Sequence, residues 1–130
     1  MKNNYLKISI RMATIMGIFL PFIETVRRSN QILDPTKFLN WFDDYILGGV
    51  LLISVYLVKK RAINSLSYLI AAWGFTSGAL FLSFLAQFDI YANNDPGIFP
   101  TQLVAIVKGL ILGYMLIGLY LAIESNSAEG

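Results

Sequence analysis

The sequence predicts an all-α integral membrane protein, an antiparallel bundle of four transmembrane helices. Two observations favour this fold class. Of the 130 residues, 56% are hydrophobic and only 14% are charged, whereas charged residues make up about a quarter of a soluble globular chain. The apolar residues also fall into four separate runs, at positions 8–26, 42–58, 66–88 and 103–123. Each run is close to the roughly 17–25 residues that a helix needs to cross a bilayer.

The four runs predict helices rather than barrel strands, because they lack the alternation of apolar and polar residues that barrel strands show. In lipid, backbone groups must be paired within the spanning structure, which leaves only helices and closed barrels. We therefore expect residues 1–130 to form one four-span domain. A cleaved signal peptide is the rival interpretation of the first run, since Lys2, Lys7 and Arg11 lie at its start, but no small-x-small cleavage site follows it.

The first span and the loop after it carry two proline signals. Pro21 lacks a backbone donor, and it should kink or end the first helix. In the loop, Asp34 followed by Pro35 is typical of a helix start, with a capping side chain and a proline at the first helical position. Residues 35–42 would then form either the water-exposed end of the second helix or a short interfacial helix joined to it.

The second span opens on two adjacent carboxylates, Asp43 and Asp44, and closes on three cations at residues 59–61. Negative charge at a helix N-terminus is stabilised by about 0.3–1 kcal/mol. Both aspartates therefore fit as partners of the helix dipole, at or slightly below the depth of the lipid headgroups.

The third span has two opposed faces. Thr76, Ser83 and Gln87 are spaced by seven and four residues, which places them on one side of a helix, as glue between helices or as a transport path. Gly74 and Gly78 fall roughly opposite and form a G-x-x-x-G motif, which lets another helix approach closely.

The fourth span repeats the small-residue pattern, because Ala105, Gly109 and Gly113 recur every fourth residue and predict a groove. Lys108 interrupts this apolar helix seven residues after Thr101, so its Cα lies about 10 Å along the helix axis. The polar tail at residues 124–130 is expected to be frayed.

Positive charges predict the orientation of the bundle. With four spans, both termini share one side with the loop between the second and third spans. That side carries six cations, Lys2, Lys7, Arg11, Lys59, Lys60 and Arg61, and the other side carries three, Arg27, Arg28 and Lys37. The positive-inside rule then places both termini in the cytoplasm. The chain has no Asn-x-Ser/Thr acceptor, which is compatible with a bacterial inner membrane.

The composition also limits the chemistry. The chain has no Cys and no His, which excludes disulfides, thiol nucleophiles, His-ligated haem and the usual zinc sites. We expect no metal, no cofactor and no enzymatic activity, although an intramembrane enzyme acting on lipid through carboxylates and Lys108 is conceivable. The net charge of +2 is small and dispersed, so we expect no nucleic-acid partner.

The remaining charges converge on one end of an antiparallel bundle. Four carboxylates at the ends of the first three spans fall at the same end of the bundle as Lys108. They belong to Glu24, Asp43, Asp44 and Asp89. A buried ammonium costs several kcal/mol unless it is paired. We therefore expect Lys108 to face the bundle interior and to find one of these carboxylates.

This cluster has two interpretations. In the first, the charges are interfacial anchors with one bracing ion pair. In the second, they line a small polar cavity open to the outer face, where a ligand, ion or proton binds. The candidate ligand-binding residues are Glu24, Asp43, Asp44, Gln87, Asp89 and Lys108, and Tyr45, Trp73 and Tyr91 could contribute walls.

The preferred hypothesis is a non-enzymatic interaction or accessory subunit, held among membrane lipids, that uses its small-residue grooves to form a homo-oligomer or to join a larger membrane complex. The alternative is a protein that binds or transports a small molecule or ion through the outer-facing cluster of carboxylates and Lys108. No internal repeat of the kind common in transporters relates the two halves of the chain.

Overall fold

The computed structural model describes residues 2–27, 38–89 and 100–127. Four α-helices make up nearly all of this part of the chain: α1 (Lys2–Arg27), α2 (Phe38–Lys59), α3 (Ser65–Asp89) and α4 (Thr101–Ser127). The prediction of an all-α chain with four helices is therefore confirmed. α2 is continuous from Phe38, so residues 38–42 form the start of this helix and not a separate interfacial helix. Residues 28–37 lie outside the described residues.

Three of the described helices are long and apolar enough to cross a membrane, namely Asn4–Val26, Ser65–Ala86 and Gln102–Asn126. The helix outside this set is α2, whose apolar run extends over the 14 residues from Tyr45 to Val58. Such a run rises only about 21 Å, less than the roughly 30 Å of hydrocarbon in a bilayer. To cross, α2 would have to hold its charged ends within the headgroup region.

The helices pack in a ring. α1 contacts α2 and α4, and α3 also contacts α2 and α4. All four helices contribute side chains to one hydrophobic core, whose buried members are Ala13, Met16, Leu20, Leu47, Leu51, Val55, Leu69, Ala72, Trp73, Leu80, Met115 and Ala122. The outward faces of the same helices carry many exposed aliphatic and aromatic side chains, as expected where lipid or a partner replaces water.

α1 and α2 touch at backbone level around Pro21. α1 continues through Pro21 to Arg27, so the proline does not end the helix. Because proline has no N–H, it leaves the carbonyl of Gly17 without its usual helical donor. A Cβ added at Gly48 would lie 2.5 Å from the Gly17 carbonyl oxygen and 2.9 Å from Cγ and Cδ of Pro21. Only a glycine at position 48 permits this approach.

α2 ends in a Schellman motif that turns the chain toward α3. The Ala62 N–H donates to the Leu57 carbonyl at 3.1 Å, and the Arg61 N–H donates to the Val58 carbonyl at 3.0 Å. Arg61 has a φ of 55°, in the left-handed region where glycine is usual. The turn is therefore closed by hydrogen bonds although its sequence lacks the typical glycine.

The C-terminal tail differs from the expectation. α4 extends to Ser127, so the prediction of a frayed tail is wrong for residues 124–127. Ser125 is buried and donates a hydrogen bond to the Ala122 carbonyl at 2.7 Å. The helix therefore continues into the polar segment, and one side of this last turn is covered.

Candidate functional site

The end of α1 and the start of α2 lie side by side. The Thr25 hydroxyl donates to the Pro21 carbonyl at 2.7 Å, and Thr25 Oγ1 is also hydrogen-bonded to the Tyr45 hydroxyl. Since threonine has a single hydroxyl proton, Tyr45 is the donor to Thr25. Glu24, the neighbour of Thr25, is only 4% exposed. This contact places Glu24 at the level of the first turns of α2.

Lys108 of α4 points toward α3. Its Nζ is partly buried and donates to the Ser83 hydroxyl across 2.7 Å. The next residue, Gly109, packs against the ring of Phe84, which would lie 3.2 Å from an added Cβ. We expected Lys108 to face the bundle interior and to find a carboxylate; the contact described here is with a hydroxyl of α3, and the pairing with a carboxylate stays a prediction.

A cavity of about 220 Å³ lies between α2 and α3 beside this contact. Its walls are Asp44, Ile46, Leu47, Phe75, Ala79, Leu80 and Ser83. Asp44 and Ser83 are the polar residues of these walls. The ammonium of Lys108 donates a hydrogen bond to Ser83. α2 and α3 thus bring a carboxylate and a hydroxyl to one small cavity, which we call the head cavity, and α4 brings an ammonium to that hydroxyl.

Of the six candidate ligand-binding residues, Asp44 lines the head cavity and Lys108 donates to its wall residue Ser83, which the sequence places in the polar stripe of α3. Glu24 lies buried at the neighbouring α1–α2 junction. Asp43, Gln87 and Asp89 lie at helix ends, and their side chains are outside the described part of the chain. Tyr91, a candidate wall residue, also lies outside it.

A second polar cluster binds three helices together deep in the bundle. The indole N–H of Trp73 donates to Ser9 Oγ at 2.9 Å, and the Ser9 hydroxyl donates to the Gly118 carbonyl at 3.0 Å. Trp73 and Ser9 are both 0% exposed. The indole also covers Gly118 so closely that a Cβ there would overlap the ring. Trp73 is thus a buried structural residue and lies away from the head cavity, whose walls do not include it.

Sequence analysis missed this cluster. The available signal was a tryptophan well inside a span, away from the interfacial belt where the indole can reach water. Ser9 was the matching signal, an isolated hydroxyl near the start of another apolar run. Nothing in the spacing of either residue along its own helix indicates that the two side chains meet.

The predicted polar stripe of α3 does not act as one unit. Thr76 is fully buried, and its hydroxyl donates to carbonyls of its own helix, those of Ala72 at 2.9 Å and Trp73 at 3.1 Å. Ser83, by contrast, reaches another helix through Lys108. The hydrogen bonds described for Thr76 therefore stay within α3, and Ser83 supplies the contact between helices.

The two predicted small-residue grooves differ in how they are filled. On α3, no atom lies within 4 Å of a Cβ placed at Gly74 or Gly78. On α4, Phe84 covers Gly109, whereas Gly113 is open. The close backbone approaches inside this bundle involve other glycines, Gly17 with Gly48. The G-x-x-x-G face of α3 therefore points away from the described helices of its own chain.

Among the residues that the structure describes, no three carboxylates gather closely enough to hold a metal ion. Comparison with protein-family models, curated proteins and solved structures finds no significant match to the chain.

Proposed function

We propose that this chain is a small polytopic membrane protein that acts as a non-enzymatic interaction or accessory subunit. The open face of α3 carries the proposal. Gly74 and Gly78 lie one helical turn apart, and both are exposed with no atom near their Cβ positions. We call the surface formed by Gly74 and Gly78 the glycine face.

The proposed setting is a lipid bilayer crossed by four antiparallel helices. Three apolar helices of spanning length support this setting. The contacts between helices support the antiparallel arrangement: Ser83 meets Lys108 while Trp73 meets Gly118, so positions descend in α3 as they rise in α4. The charge difference between the two sides favours cytoplasmic termini in a bacterial inner membrane.

The glycine face suits a helix better than it suits lipid. In a membrane, helices associate mainly through close packing, because lipid chains are as apolar as the side chains they cover. Two glycines four residues apart create a shallow hollow, and Phe75 and Leu82 beside it are 55% and 68% exposed. A helix that enters this hollow gains backbone-level contact with the flanking side chains. Its source would be a second copy of the chain or a larger membrane complex.

Substitution of the glycines tests this proposal. Gly74→Leu and Gly78→Leu fill the hollow without reaching any described atom of the same bundle. Gly49→Leu is the matched control, because Gly49 also has nothing within 4 Å of its Cβ but lies on α2. Membranes extracted in mild detergent and separated on native gels should show a discrete species larger than the 14.6 kDa chain, and the two α3 variants should lose it.

The native gel can also refute the proposal. A wild-type chain that migrates only as a monomer after gentle extraction would remove the evidence for a partner. Retention of the larger species in both α3 variants would show that association uses another surface. Loss of the species in Gly49→Leu as well would show that the effect is not specific to the glycine face.

The second candidate function is binding or transport of a small molecule or ion at the head cavity. The observation that favours it is that Asp44 and Ser83 line one cavity and that Lys108 donates a hydrogen bond to Ser83. Intramembrane ionisable groups commonly mark ligand or ion pathways. Substrate flux in proteoliposomes should fall in Asp44→Asn and Glu24→Gln if these carboxylates take part. Flux that survives both substitutions would remove a transport mechanism through the cluster.

A further inference from the structure

A larger cavity of about 430 Å³ also lies between α2 and α3. Its walls are Val50, Ile53, Ser54, Leu57, Tyr68, Ala71, Ala72 and Phe75. We call it the tail cavity, because its walls are almost entirely apolar. Ser54 adds little polarity, since its hydroxyl donates to the Leu51 carbonyl of its own helix at 2.7 Å.

The head and tail cavities form one seam along α2 and α3, and Phe75 lines both. On α2 the seam extends from Asp44 to Leu57, a rise of about 20 Å along the helix. Its mouth faces the outside of the bundle, because Ile53 and Phe75 are 62% and 55% exposed. The seam is thus a long, outward-opening groove with a polar end and an apolar remainder.

The polarity of the groove matches an amphiphile. The tail cavity can stabilise a ligand only through dispersion contacts and the burial of apolar surface, which suit a hydrocarbon chain. The polar end offers a carboxylate on Asp44 and, one hydrogen bond behind Ser83, the ammonium of Lys108. A complementary headgroup carries an amine that can donate to the carboxylate and an anionic group that can accept from the Ser83 hydroxyl, close to the ammonium bonded to it.

We propose that the α2–α3 seam binds a membrane phospholipid with an ethanolamine headgroup. One acyl chain lies in the tail cavity past Phe75, the amine donates to Asp44, and the phosphate accepts from the Ser83 hydroxyl, whose oxygen accepts from Lys108. This inference rests on the second candidate function, a ligand site at the head cavity. Neither Gly74 nor Gly78 lines the seam, so the lipid site and the proposed partner contact use different small residues, although Phe75 borders both surfaces.

Native mass spectrometry of the full-length protein in mild detergent tests the proposal. The protein is titrated with phosphatidylethanolamine, phosphatidylglycerol and phosphatidylcholine that carry identical acyl chains. The ethanolamine lipid should bind about tenfold more tightly than the other two, because glycerol lacks the cation and choline lacks the N–H donors. Asp44→Asn should abolish this preference, since a neutral amide loses the charge that selects the amine.

A second variant tests the acyl chain separately. Ala71→Trp fills the tail cavity, so it should weaken binding of all three lipids by about tenfold or more. Leu110→Trp is the control: Leu110 is 71% exposed on α4 and lines neither cavity. It should leave binding of all three lipids unchanged.

The possible results separate the two levels of the inference. If the three lipids bind equally and Ala71→Trp still weakens them, the ethanolamine assignment is overturned while a ligand groove survives. If neither Asp44→Asn nor Ala71→Trp alters binding of any lipid, the seam is not the site. That result, together with substrate flux unaffected by Asp44→Asn, would remove the second candidate function as well.

Discussion

The indole nitrogen of Trp73 and the hydroxyl oxygen of Ser9 lie 2.9 Å apart although 64 positions separate the two residues in the chain. The Ser9 hydroxyl accepts from Trp73 and donates to the Gly118 carbonyl, so a single hydroxyl joins α1, α3 and α4. Because Ser9 and Trp73 are fully buried, neither group can exchange its partner for water. This arrangement makes the Ser9 hydroxyl a central element of the bundle.

Ser9→Ala should destabilise the protein by about 0.5–2 kcal/mol, because the buried indole N–H loses its acceptor. Ser77→Ala is the matched control, since the buried Ser77 hydroxyl has no hydrogen-bond partner among the described residues. It should be neutral or slightly stabilising. Unfolding of the detergent-solubilised variants, followed by tryptophan fluorescence, measures both. Equal losses in the two variants would contradict the role given to Ser9.

The Gly17–Gly48 contact leads to a second expectation. Gly48→Ala places a methyl group against the Gly17 carbonyl oxygen and the Pro21 ring, and such overpacking costs about 1–3 kcal/mol. Gly49→Ala meets nothing within 4 Å, and it should stabilise α2 by up to about 1 kcal/mol. Thermal unfolding of both variants should therefore show opposite shifts. A Gly48→Ala variant as stable as the wild type would show that α1 and α2 are farther apart.

The Lys108–Ser83 hydrogen bond can be tested by removing its acceptor. Ser83→Ala should destabilise the protein by about 1–2 kcal/mol, because a partly buried ammonium loses one acceptor. Ser54→Ala is the control, since Ser54 bonds to a carbonyl within its own helix and its loss should matter little. Chemical or thermal unfolding reports both values. No difference between the two variants would indicate that other groups fully satisfy Lys108.

Much of the fold could be predicted from the sequence because spanning helices are specified locally. The four apolar runs each predict a helix, and the structure has four helices over these runs. The sequence also predicts Asp44 and Lys108 at one end of an antiparallel bundle, and in the structure Asp44 shares a cavity with Ser83, to which Lys108 donates. Such reasoning gives the end of the bundle at which a residue lies, but not which side chains meet there.

The contacts between particular faces could not be predicted, because periodicity within one helix says nothing about the rotation of that helix against its neighbours. The G-x-x-x-G motif at Gly74 and Gly78 predicts a packing surface, yet the close backbone approach described within this chain occurs at Gly48. Gly48 can be recognised as a site of close helix approach only when Pro21 and Gly17 are known to face it. Ser83 was likewise grouped with Thr76 by spacing, whereas the structure gives them different partners.

The membrane orientation is a further expectation. Both termini should lie in the cytoplasm, because six cations on their side outweigh three on the other. A green fluorescent protein fused after Gly130 should fluoresce, and alkaline phosphatase fused at the same position should be inactive. The reverse pattern would place the head cavity on the cytoplasmic side of the membrane. It would leave the clustering of Asp44 and Lys108 unchanged.

The most direct measurement of the proposed function is site-specific cross-linking of the glycine face in native membranes. The chain has no cysteine, so Gly78→Cys and the control Leu110→Cys can each carry a photo-activated cross-linker at one defined position. Both positions are exposed, but Leu110 lies on α4 outside the glycine face. If the glycine face receives a partner helix, irradiation should give a discrete protein adduct, of the chain with itself or with one partner, for Gly78→Cys alone. If the cross-linker at Gly78 reacts only with lipid, as we expect at Leu110, then the face is a lipid-exposed surface and the proposed interaction is wrong.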